Sequence, residues 1–253
     1  MTGFGVLLRK ELLEQWRTMR LPIVTAVFLL TGLTSPLLAR FTPEILRAVG
    51  GDQFQIVLPP PTAADAFDQH AKNLSQFGIL VAVLLAMGIV ATEKERGTAG
   101  LILTKPAGRG AFLVSKLAAI ATTLGVATAI AGVGAWFYTL VLFEPLPVAG
   151  FAAATVFQWL GLLSFAAITF LGSTLTRSAL AAAGLGVAAF IVIGILSIVP
   201  PLVPFLPAGL GEPARALALG LPDVDWLVPV VANAVLIGAI VAVAWLSFRR
   251  QEL

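Results

Sequence analysis

The chain has 253 residues, 58% of them hydrophobic and only 11% charged, against roughly 25% charged in soluble domains. With a mean hydropathy of +0.98, that composition places it in a membrane and excludes an ordinary soluble enzyme. It contains no cysteine, which excludes a disulfide framework and a thiolate metal site. Its net charge of +3 has a topological cause set out below and is not read as affinity for nucleic acid.

Residues 1–20 form a polar leader with Glu11 and Glu14, and no small-residue cleavage site follows the next apolar run. They are therefore read as an interfacial helix rather than a removable signal. At 100° per residue Phe4, Leu8, Leu12, Trp16 and Met19 share one face, and Arg9, Lys10, Arg17 and Arg20 the opposite one. Val6 and Leu13 interrupt the pattern. Such a helix lies in the headgroup layer with Trp16 at the boundary and its cations toward anionic lipid.

Hydropathy then predicts six spans, at about 21–39, 74–91, 117–143, 151–175, 179–199 and 227–248. Each meets the roughly 20 residues needed to cross the hydrocarbon core. Between spans one and two, residues 41–73 carry a helical turn at Pro43–Arg47 and a rigid run, Pro59 to Pro61. Thr62 and Asp65 then read as a capping box that opens a helix through Phe67 and Leu74 into span two. Between spans five and six, Leu202 to Leu210 is too apolar for a free loop and too proline-broken for a span. It reads as re-entrant or interfacial, followed by a short helix at Pro213–Leu219 that ends at Gly220. Small residues at four-residue spacing, Gly125/Ala129 and Gly184/Ala188, offer close helix contact or are ordinary span composition.

Six spans put both termini on one side. The segments on that side, 1–20, 93–116, 176–178 and 249–253, hold twelve of the sixteen Lys and Arg residues. The positive-inside rule makes that side cytoplasmic. The expected fold is an all-α polytopic membrane protein: one permease-like domain over 1–253, six transmembrane helices and an amphipathic N-terminal elbow helix.

Residues 91–116 are a charged island between apolar runs, with Glu93, Lys94, Glu95, Arg96, Lys105, Arg109 and Lys116. Gly97 is placed to break the incoming helix. Thr98 is placed to cap a new short helix, 99–103, and Lys105-Pro106 stops it. Read from the residues alone, this is either a basic solvated loop or a short crosswise helix with Leu101, Ile102 and Leu103 on it.

The pattern E-x-E-R-G-T (Glu93, Glu95, Arg96, Gly97, Thr98), then Leu101-Ile102-Leu103, then Pro106-x-x-Arg109 and Lys116, resembles the bacterial type-2 family of ATP-binding-cassette permeases. The opening Lys10-Glu11-Leu12 with Trp16-Arg17 is similar to that family's elbow helix. The resemblance implies that this loop carries a coupling helix seated in a groove of a separate ATPase. It implies two ATPase copies holding ATP and Mg, a second permease half, identical or a sister subunit, and the inner membrane of a bacterium. It assigns Glu93, Glu95, Arg96, Gly97, Thr98, Leu101, Ile102, Leu103, Pro106 and Arg109 to coupling, and Arg9, Lys10, Trp16, Arg17 and Arg20 to the elbow.

The predicted spans contain no Asp, Glu, Lys, Arg or His, which disfavours an ion-coupled carrier, since such carriers place ionisable groups at membrane depth. Gln158 and Asn233 either line a pathway or hydrogen-bond a neighbouring helix. The single histidine, His70, is placed in the external segment and forms no helical face with Asp65 and Asp68, so neither a metal site nor a catalytic residue is expected. No phosphate loop or nucleophile elbow occurs, so the chain is expected to bind no cofactor itself. The expected function is the permease subunit of an ATP-driven exporter, its substrate not identified by the sequence, though uncharged spans suit lipids, amphipathic drugs or peptides better than a bare ion. A non-transporting mechanotransmitter or assembly scaffold is the alternative.

Overall fold

The computed structural model describes residues 3–50, 59–98, 108–222 and 224–251. An interfacial helix α1 (Phe4–Arg17) turns into α2 (Arg20–Gly50) through Met19, whose left-handed backbone (φ 59°) makes the corner. Then come α3 (Ala63–Met87), the short α4 (Ala91–Glu95), α5 (Arg109–Leu142), α6 (Val148–Leu175) and α7 (Ala179–Leu196). Two 3-10 turns (Pro200–Phe205 and Pro207–Leu210) lead into α8 (Gly211–Ala218), and α9 (Leu227–Arg249) closes the bundle. Six of these helices are long and apolar enough to cross a membrane, and no strand occurs among the described residues.

Several helices outrun the spans that hydropathy marks. α2 continues through Pro36 and Pro43 to Gly50, so the Pro43–Arg47 turn is an extension of the first span rather than a separate element. A helix of that length measures about 46 Å, against about 30 Å of hydrocarbon; hydropathy sees only the part in lipid. Likewise α3 starts at Ala63, under a complete capping box: Thr62 Oγ1 accepts from the Asp65 amide, and the Thr62 amide donates to Asp65 Oδ2 at 2.8 Å. His70 therefore sits in a helix, fully buried and stacked on Phe151, and not in an open loop. Asp68 is engaged elsewhere, holding Arg215 Nε of α8 at 2.8 and 3.0 Å.

Helix α6 is the hub and packs against α3, α5, α7, α8 and α9. Lipid offers no hydrophobic drive for helices to associate, so contact depends on close packing and interhelical hydrogen bonds. At Gly32 of α2 two long helices meet backbone to backbone: a Cβ there would lie 2.9 Å from the Ala131 Cα of α5. Of the small-residue pairs marked in the sequence, Gly125 makes room for Trp159, whose Nε1 donates to Ala121 O at 2.9 Å, while Gly184 faces open space. Helix α7 is the outlier: only 11% of its apolar window is buried, against 56% for α5.

Candidate functional site

At the end of the bundle that carries both termini, the root of the 93–116 segment is built into the protein by long-range polar contacts. The centre is Lys116, which is 1% exposed although it carries an ammonium. It lies about two turns into α5, where the helix already packs on α1, and so it cannot reach solvent. Its Nζ sits 3.0 Å from Glu11 Oε1 of α1 and 2.8 Å from Glu93 Oε1 of α4, and 5.0 Å above the Phe112 ring. Lys10 adds a second cation, 2.9 Å from Glu11, 3.2 Å from Glu14 and 3.4 Å from Glu93. Burial works to lower the Lys10 proton affinity, but the hydrogen bond to Glu11 and the charges of Glu11, Glu93 and Glu14 outweigh it, so Lys10 is held above its ordinary range. Its favourable contribution is whole below the ordinary lysine value of 10.5 and is lost only as pH rises through the raised folded value.

The carboxylates of Glu11, Glu14 and Glu93 approach within 4.8 Å of one another, a spacing that suits a divalent ion, but the two ammonium groups already supply their counter-charge. Beside them Gln15, also buried, accepts a hydrogen bond from Thr123 Oγ1 of α5. The face that α1 turns to the protein is therefore Leu7, Glu11 and Gln15. Trp16 remains 60% exposed, and Arg9, Arg17 and Arg20 are exposed as well. Of the basic face read from the sequence, Arg9, Arg17 and Arg20 are turned away while Lys10 joins the cluster. Of the apolar face, Phe4, Leu8 and Leu12 are half-buried and Trp16 and Met19 exposed, and a third face, with the polar Glu11 and Gln15, holds the helix to the bundle.

The other side of the loop root is held by α6 and the C-terminal tail. Ser173 Oγ accepts from the Val90 and Ala91 amides at 3.1 and 3.0 Å, at the start of α4. Lys94 Nζ donates to Thr174 O at 2.7 Å and Gln251 Oε1 at 3.2 Å. Arg109 donates to the carbonyls of Phe248, Arg249 and Gln251, at 3.3, 2.8 and 3.3 Å. These carbonyls lie at and just beyond the C-terminal end of α9, where intrahelical donors run out and a cation is also favoured by the helix dipole; Phe248 O in addition accepts from the Gln251 amide at 3.3 Å.

Gly97 ends the α4 turn with φ +69°, as its lack of a Cβ permits. Glu95 and Arg96 are exposed, and Thr98 Oγ1 donates back to Glu93 O at 3.2 Å. Leu101, Ile102, Leu103 and Pro106 lie outside the described residues. The structure thus brings Glu93, Lys10 and Arg109 into one region with Glu11, Lys116, Lys94 and Ser173, which sequence reasoning did not join. Lys94 and Lys116 stood out in the sequence only as charges of the loop and Glu11 only as part of the elbow, with nothing to pair them, and Ser173 carried no signal.

A family model described as ABC-2 family transporter protein matches residues 6–247. The chain belongs to the ABC-2 transporter family. An uncharacterized transmembrane protein of Bacillus subtilis (strain 168), YxlG, is similar to it: 29% identical over 254 residues, covering 97% of each chain. For an ABC-2 permease, the described end-face cluster falls at the root of the loop between the second and third spans. Gln158 and Asn233, by contrast, lie within the bundle and are not together. Asn233 is fully satisfied: its Oδ1 accepts from Ser164 at 2.9 Å and its Nδ2 donates to Pro229 O and Leu206 O at 2.9 and 3.3 Å. It ties α9 to α6 and to the 3-10 turns. Gln158 lies on a cavity wall between α3, α6 and α7.

Proposed function

We propose that this ABC-2 permease is the membrane half of an ATP-driven exporter, moved by a separate ATPase that pushes on the 93–116 segment. The observation that carries the reading is the buried ion cluster Glu11–Lys116–Glu93. Through one buried cation it joins the interfacial helix, the loop root and the third spanning helix. A push delivered to the loop is then shared at once by α1 and α5, and through Ser173 and Lys94 by α6. A loop rooted in flexible side chains would absorb the same push.

On this reading the end bearing the termini is cytoplasmic, in accord with its excess of Lys and Arg, and the membrane is the bacterial inner membrane. Two copies of the ATPase bind ATP and Mg; this chain supplies neither ligands nor catalysis. A second permease half completes the pathway against the exposed spanning faces. Glu95 and Arg96, both exposed, are available to the ATPase surface, and Leu101, Ile102 and Leu103 supply the apolar contact that fixes docking, since exposed ion pairs contribute only about 0–1 kcal/mol each.

The test is purification of the chain from its native membrane in mild detergent, with mass spectrometry of what accompanies it. An ATPase subunit accompanies the wild-type chain and is lost from Leu101→Asp, while the helical content of the variant is unchanged. An ATPase that stays bound to Leu101→Asp removes the docking assignment. No ATPase with the intact chain favours the scaffold role.

A further inference from the structure

Near the end of the bundle away from the termini, a cavity of about 230 Å³ opens between α3, α6, α7 and the proline-rich turns. Among the described residues its lining contains no charged group, and the side-chain polar groups on it are Ser75, Gln158 and Ser197. Ser197 is spent on its own helix, donating to Ile193 O at 2.7 Å, and Ser75 is exposed at the edge. Gln158 is different. Both its Oε1 and its Nε2 are buried, and neither meets a partner among the described residues. A buried amide left unmatched costs on the order of 1–3 kcal/mol in proteins, and Asn233, one helix away, shows that this fold can satisfy such a group where it serves structure alone.

We propose that this cavity is a binding site for an uncharged, lipid-soluble molecule whose polar head is a hydroxyl or a primary amide. The chemistry follows from the wall. An amide offers one acceptor and a donor pair; a hydroxyl or amide head answers both, whereas an ester or ether answers the donor only. A charged head is excluded because no counter-charge lines the site. The volume exceeds the roughly 150 Å³ that holds a benzene-sized guest and falls below the roughly 300 Å³ where drug-sized pockets begin, so the site takes a short chain or one ring. Entry is from the bilayer: Phe190, Ile193 and Gly194 of α7 form the outer wall, and α7 has the smallest buried share of the six spanning helices. The site stands at the opposite end from the loop root, so it does not rest on the coupling mechanism.

The experiment uses the full chain in nanodiscs with two photoactivatable probes of one carbon skeleton, a diazirine fatty alcohol and the matching diazirine alkane, mapped by peptide mass spectrometry. In the wild type the alcohol labels the cavity segments of α3, α6 and α7, and unlabelled octanol competes. Gln158→Leu weakens alcohol labelling there about tenfold, the worth of one buried hydrogen bond, and leaves alkane labelling in place. Gly194→Leu, at a position where an added Cβ meets nothing within 4 Å, fills the site and removes both. Equal labelling by the two probes in the wild type, or labelling spread over the lipid-facing helices and indifferent to Gly194→Leu, overturns the proposal. So does a Gln158→Leu chain that melts higher with its labelling unchanged, because the amide then serves bound water alone.

Discussion

Removing the Lys116 ammonium leaves the buried Glu11 and partly buried Glu93 carboxylates side by side with only the half-exposed Lys10 to balance them. Breaking a buried pair from one side costs roughly 3–5 kcal/mol, whereas replacing every partner by neutral groups can be close to neutral. Lys116→Met is therefore expected to lower the melting temperature of the purified chain sharply. The triple change Glu11→Gln/Lys116→Met/Glu93→Gln should recover most of it. If the triple variant melts as low as the single one, the cluster stabilises through shape rather than charge. None of this was readable from the chain. Glu11 and Lys116 stand 105 positions apart, and nothing local to either shows that α1 and α5 lie together. Charge near a span end normally signals solvent, and only packing turns Lys116 inward.

Among elements, the α2–α5 contact depends on the missing side chain at Gly32. Gly32→Val should force the helices apart, because the Ala131 atoms in the way belong to backbone and cannot rotate aside. Overpacking of this kind typically costs 1–3 kcal/mol. The check is thermal stability beside Gly184→Val, which has open space around it and should behave as the wild type. The sequence offered no basis for choosing between these glycines, since both lie in apolar runs and the difference is made by the neighbouring helix. Local features fared better. The Thr62–Asp65 cap, the break at Gly97 and the helix end at Gly220 each depend on a few adjacent residues, and each is present. Helix lengths were less legible, because α2 and α3 continue beyond lipid where hydropathy no longer rises.

For the molecule as a whole, composition and the spacing of apolar runs were enough to give six spanning helices, because the bilayer imposes one length on all of them. Their order around α6 was not, because that depends on which faces fit. Sidedness is open to direct test, since a chain without cysteine allows each introduced cysteine to be labelled alone. A membrane-impermeant maleimide added to spheroplasts, whose outer face is exposed, should react with Asp68→Cys or Glu212→Cys and not with Arg177→Cys or Glu95→Cys. The reverse pattern places the basic end outside and removes the proposed access of an ATPase to the loop.

The hub helix α6 has the lowest hydropathy of the six, 1.7, and α7, which follows it after only Thr176, Arg177 and Ser178, shares the highest, 2.5. During synthesis the helix on which the most neighbours later assemble is thus the one least able to enter lipid unaided. The short turn suits the two to enter as a hairpin, the more apolar α7 favouring the crossing of α6 and Arg177 staying on the basic side. The small buried share of α7 in the finished bundle is then no measure of its expected contribution to insertion, which apolar composition sets.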